Sequence, residues 1–145
     1  MNSISLNTLF DQMPMTSDHD LENYTEEEKL QIAVTILIQT CGMPANLRGY
    51  RFTRSALVLT VQNPELAESI TKLLYPEIAK NYSVGIVGVE RAIRHAIEVV
   101  WKRGGYNALN SYFGCSIWQE DKRPTNHEFI ATIADQLRLK LRMFK

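Results

Sequence analysis

PEIAKNYSVGIVGVERAIRHAIEVVW, residues 76–101, reads as a short helix, a tight turn and a longer helix. Pro76 opens the short helix, which runs from Glu77 to about Tyr82, and Ser83–Gly85 forms the turn. The longer helix spans about Ile86 to Arg103, where Gly104-Gly105 stops it. With about 100° of rotation per residue, Val89, Ile93, Ala96, Ile97 and Val100 share one arc of the long helix. Glu90, Arg91, Arg94, His95, Glu98 and Lys102 fall on the opposite arc. This is the pattern of a helix-turn-helix, in which the second helix enters the DNA major groove.

The side chains on the polar arc suit that task. An arginine can give two parallel hydrogen bonds to guanine O6 and N7, and a carboxylate can accept from the cytosine amino group. A glutamate among arginines also rejects wrong bases, because it would be left desolvated and unpaired. The same arc is equally what any solvated helix face carries, with Glu90–Arg94 as an i,i+4 ion pair, His95 as an ordinary surface histidine and Trp101 as core.

Outward from this stretch the periodicity stays helical. Thr25 and Glu28 form a capping box, and Leu30, Val34, Leu37, Ile38 and Cys41 then repeat until Gly42 and Pro44 end the run. A second helix fits Tyr50–Val61, with Leu57, Val58 and Val61 on one side, although its β-branched content leaves a strand open. Asn63 and Pro64 open a third helix to about Leu74. After the long helix a short one covers Asn107–Phe113, and Thr125 or Asn126 caps a last helix to about Met143, with Phe129, Ile133, Leu137 and Leu141 every four residues. The expected fold is all-α, a compact helical domain of about six to seven helices.

Length, composition and charge bound the rest. The chain of 145 residues, with 45% apolar and 22% charged residues, fits one globular domain. No apolar run reaches the roughly 20 residues of a membrane span, and the N-terminus lacks a signal-peptide pattern, so a cytoplasmic location is expected. Net charge is zero, but residues 1–30 hold seven acids (Asp11, Asp18, Asp20, Glu22, Glu26, Glu27, Glu28) and one base. Of the sixteen acids and sixteen bases, nine and fifteen remain for residues 31–145, a balance of +6. An acidic flexible leader over residues 1–23, with a short turn around Ser5–Phe10, therefore precedes a moderately basic domain over residues 24–145. Cys41 and Cys115 are too few for a disulfide scaffold or a zinc site, and each is expected to be a small buried thiol. No P-loop, H-E-x-x-H motif or dinucleotide fingerprint is present, so neither catalysis, cofactor nor metal is expected.

Three segments, SITKLLYPEIAK (69–80), VERAIRHAIEVVW (89–101) and RPTNHEFIATIADQLRLK (123–140), closely resemble the C-terminal effector domain of the stage 0 sporulation protein A family, the master response regulators of endospore formation. The similarity runs from about Gly42 to Leu141. The resemblance implies an all-helical DNA-binding domain that reads short boxes with a GTCGAA-like core, often in tandem, with two copies or a homodimer on adjacent boxes. It assigns Glu90, Arg91, Arg94 and His95 to base and phosphate contact, and Lys122, Arg123 and Thr125, in the loop before the last helix, to the DNA backbone. It also implies a contact to the sigma subunit of RNA polymerase through residues 104–114, with Gly104, Ala108, Asn110 and Phe113 as candidates, unless the aromatic residues there simply pack.

Two departures stand out. The family usually has a basic residue directly before its Val-Glu-Arg run, whereas this chain has Gly88, which removes one expected contact. A glycine there also loosens the helix start by ~1 kcal/mol relative to alanine. Only about 24 residues precede the first helix, too few for the phosphoacceptor receiver domain of the family's regulators, so control by that route is not expected here. A different class of function remains open: a non-catalytic interaction protein that modulates the sporulation regulator or a sigma factor and binds little DNA itself.

Overall fold

The computed structural model describes residues 23–141. The leader, its turn around Ser5–Phe10 and the last helix's expected end at Met143 lie wholly or mainly outside these residues. Among these residues six α-helices follow one another: α1 Glu26–Thr40, α2 Arg48–Gln62, α3 Tyr75–Tyr82, α4 Ile86–Lys102, α5 Gly105–Phe113 and α6 Asn126–Lys140. Among the described residues there is no strand, only one isolated bridge between Gln119 and Lys122. The fold is all-α, and the second helix is a helix despite its β-branched residues. Its Phe52, Ala56, Leu57, Val58 and Val61 are all buried, and that burial outweighs a weak local preference.

α2 is the central element and packs most extensively against α4 and α6. The approach to α4 is close enough that only glycine fits at position 49. A Cβ there would collide with the Ala92 carbonyl oxygen and lie 2.9 Å from the Ala96 Cβ. Gly105 does the same for α5, where a Cβ would strike the Cys41 carbonyl at the end of α1 and approach Val100 Cγ1.

Capping follows the sequence at both outer helices. The Thr25 hydroxyl accepts from the Glu28 N–H at 3.1 Å, and Thr25 N–H donates to Glu28 Oε1 at 3.0 Å. Thr125 and Glu128 repeat the arrangement on α6, so Thr125 is the cap and Asn126 is not. Asn126 is instead a buried tie described below.

The third expected helix, Pro64–Leu74, is not one α-helix. It divides into a 3-10 turn, Pro64–Glu68, and a wide π-type turn, Ile70–Leu74, which runs directly into α3. Ser69 is non-helical, with φ −149° and ψ 78°, and breaks the run. Pro76 has no N–H for the carbonyl four residues back, and its ring would press on that carbonyl. The ladder widens just before it, with Tyr75 N–H reaching Ile70 O. Pro76 is thus the second residue of α3 rather than the opening of an isolated helix. α5 starts two residues earlier than expected, and α6 stops at Lys140.

Cys41 is buried and donates to Ile38 O at 3.2 Å, and burial pushes its thiol up to about 11. The expectation of a buried thiol fails for Cys115, which is half-buried. Its N–H closes the end of α5 on Asn110 O, so it begins a surface loop.

Candidate nucleic-acid interface

α3, the turn and α4 form the expected helix-turn-helix. α3 ends with Ser83 in the left-handed region, φ 53° and ψ 47°. Val84 N–H returns to Ala79 O at 2.9 Å and Ser83 N–H to Lys80 O at 3.3 Å, so the last carbonyls of α3 are satisfied as the chain reverses. Gly85 then precedes α4 with no side-chain cap.

The two arcs of α4 behave differently. Val89, Ile93, Ala96, Ile97 and Val100 are all buried, and Trp101 is buried among Tyr106, Trp118 and Phe129 with its Nε1–H donating to Gln119 O. Arg91, Arg94, His95 and Lys102 are exposed, and Glu90 and Glu98 are half-buried. Burying each aliphatic side chain is worth ~1.5–3 kcal/mol, while an exposed ion pair on a helix is worth ~0.2–0.5 kcal/mol. The buried arc therefore sets the orientation of α4, and the polar arc can exchange partners without cost to the fold.

Those partners are specific. Arg94 Nη1 lies 2.8 Å from Glu90 Oε1. Glu98 faces two cations: His95 Nδ1 at 3.9 Å from Oε2, and Arg123 Nη2 at 3.7 Å from Oε1. The last contact joins the loop before α6 to α4. Arg91 and Lys122 have no ion-pair partner among the described residues.

Glu90, Arg94, Arg123 and Thr125 thus come together on one cleft of about 410 Å³ between α4 and the start of α6. Arg91 and His95 stand on the outer surface of α4 beside it, and Lys122 is exposed in the Gln119–Lys122 turn outside it. Asn126 also lines the cleft, where the sequence offered it only as an alternative cap. Its Nδ2 donates to Glu90 O at 2.9 Å and to Tyr75 Oη at 3.0 Å, so one amide fixes α6 to both helices of the motif. Burial, followed by smaller opposing and reinforcing contributions, raises the Tyr75 hydroxyl above its usual value. Nothing marks this asparagine in one dimension, because it stands beside a good cap residue and looks like an alternative to it.

Two apolar side chains were also missed. Ile86 and Val87, in the first turn of α4, are 41% and 61% exposed. Extending the helical wheel two residues back from Val89 places Val87 on the polar side, but the wheel puts Ile86 within the apolar arc, so its exposure is not legible there. At Gly88 an added Cβ would meet nothing within 4 Å, so the space for a basic side chain is open.

The sigma-contact candidates are placed unevenly. Gly104 and Ala108 are half-buried, Asn110 is engaged with the Trp118 backbone at both its amide and its carbonyl, and Phe113 is buried edge-on to Tyr112.

Residues 34–137 match the family model described as sporulation initiation factor Spo0A, C-terminal. The chain belongs to this family. A Spo0A C-terminal domain is a DNA-binding effector of sporulation initiation rather than a member of a known enzyme family, and the all-α helix-turn-helix seen here is consistent with it. Among the described residues no helix is long and apolar enough to cross a membrane, and no cluster of His, Cys, Asp or Glu is placed to hold a metal ion.

Proposed function

We propose that this chain is a non-catalytic transcription regulator that lays α4 in the DNA major groove. The observation that carries the reading is the division of α4: its inner arc is wholly buried, and Arg91, Arg94 and His95 stand exposed on the outer one. Arg91 and Arg94 read guanines, Glu90 accepts from a cytosine amino group, and His95 completes the set. Lys122, Arg123 and Thr125 meet phosphates on the flank and fix the register. The box has a GTCGAA-like core, by family resemblance. Two copies on tandem boxes would sit about one helical turn apart, ~10 bp. A sigma contact through α5 rests on Gly104 and Ala108, with Asn110 and Phe113 supporting the surface from beneath. Residues 24–145 form the binding domain, residues 1–23 an acidic leader in the sequence, and the protein works in the bacterial cytoplasm on the nucleoid.

Selection of bound sequences from a random duplex pool tests this. A defined core should emerge, with affinity falling steeply as salt is added because bound cations displace counterions. Arg94→Ala should cost ~1–3 kcal/mol and relax specificity at one position. Equal binding to selected and scrambled duplexes overturns the reading, and an undiminished Arg94→Ala removes Arg94 from the contact set.

A second reading, an interaction protein acting on the sporulation regulator or a sigma factor, is favoured by Glu90 and Glu98. They already engage Arg94, His95 and Arg123 within the domain, and Gly88 offers no charge. Gel shifts with and without residues 1–23 separate the two. Stronger binding after deletion marks the acidic segment as a competitor for the basic face, and no binding in either form favours the interaction protein.

A further inference from the structure

We propose that Val87 reads a thymine in the bound DNA through its C5 methyl group. The inference rests on the reading that α4 lies in the major groove. Val87 is the most exposed large apolar side chain among the described residues, at 61%. It lies four residues before Arg91 and seven before Arg94, so it shares their stripe and falls near the centre of the polar arc.

Nothing inside the fold accounts for a valine there. It fills no core position, and a β-branched residue on an exposed helix is an indifferent helix former. Its surroundings are bare. Gly85 caps α4 without a side chain, and a Cβ at Gly88 would meet nothing within 4 Å. The first turn therefore presents two branched hydrocarbon side chains, of which Val87 is the more exposed and the one on the arginine stripe. In a helix-turn-helix the first residues of the second helix are those that reach base edges. In the major groove, the thymine methyl is the apolar feature that distinguishes one base from the other three. Ile86 flanks Val87 and is 41% exposed, but with Arg91 and Arg94 directly behind, the apolar patch is too small for a protein partner.

The test uses the full chain and the duplex selected from a random pool. Each thymine is replaced in turn by deoxyuridine, which keeps the base pair and removes only the methyl. One position should lose about fourfold in affinity, the effect of burying a single methyl-sized group. In Val87→Ser that difference should vanish, while thermal stability and the salt dependence set by the arginines stay as they were. Insensitivity of every thymine, or a thymine–uracil difference that persists in Val87→Ser, overturns the assignment with the DNA reading intact. Loss of all sequence preference in the parent protein overturns the DNA reading, and this inference with it.

Discussion

The starts of α6 and α4 are built in opposite ways. α6 begins with a complete capping box, a buried asparagine and a histidine whose Nε2 lies 2.6 Å from Ala67 O. α4 begins at a glycine without a cap, with two exposed apolar residues and a second glycine against open space. A helix start that satisfies its own donors has little left to offer a ligand. One without a side-chain cap forgoes that local stabilisation. The domain thus places its local stability at α6 and keeps α4's first turn unfinished, while the body of α4 stays as firmly seated as any element of the core.

That contrast can be attacked at several points. The largest effect should come from Gly49→Ala, which drives a methyl into the Ala92 carbonyl and lifts α4 off α2. A loss of about 3 kcal/mol in urea unfolding is expected, at the upper end for an overpacked contact. A change below 0.5 kcal/mol, on the order of a neutral surface substitution, would mean that α4 is not seated through this contact. Asn126→Ala comes next. It strips a partner from Glu90 O and from Tyr75 Oη, and ~2 kcal/mol should be lost, with weaker DNA binding as α4 loosens. Retained DNA affinity at reduced stability would show that the tie serves the fold alone.

Thr125→Ala should cost ~1 kcal/mol. Its effect should fade in acid. The Glu128 carboxyl is held below its usual range by the Thr125 backbone N–H and hydroxyl. Stability from the folded-state carboxylate is therefore present above the unfolded-state value and is lost as pH falls through the lowered one. Parent and variant melts recorded down a pH series check this. The smallest effect belongs to Gly85→Ser, which supplies α4 with the cap it lacks. Roughly a few tenths of a kcal/mol should be gained, visible as a slightly raised Tm. A gain as large as the Thr125 loss would mean that the first turn of α4 frays far more than that of α6.

The start of α1 and the buried arc of α4 could be read from the chain, because each is a local pattern. Thr25 with Glu28, and Val89 with Ile93, Ala96, Ile97 and Val100, announce themselves within one or two turns. The polar arc of α4 was equally visible. What escaped depends on distant neighbours. Gly49 and Gly105 look like helix weakeners until a second helix is seen lying on them. Asn126 needs Glu90 and Tyr75, which are 36 and 51 residues away. The wide turn at Ile70–Leu74 arises because a proline sits inside a continuing helix, where a pattern reading places a boundary instead.

The Asn126 amide has a consequence for how the protein comes into being. α4 is synthesised well before the residue that pins it, and α2 packs against both α4 and α6. A nascent chain that has emerged only as far as α5 carries every basic side chain of α4 but lacks the clamp on its backbone. The sequence discrimination proposed for α4 should therefore be acquired only once α6 has been made and docks.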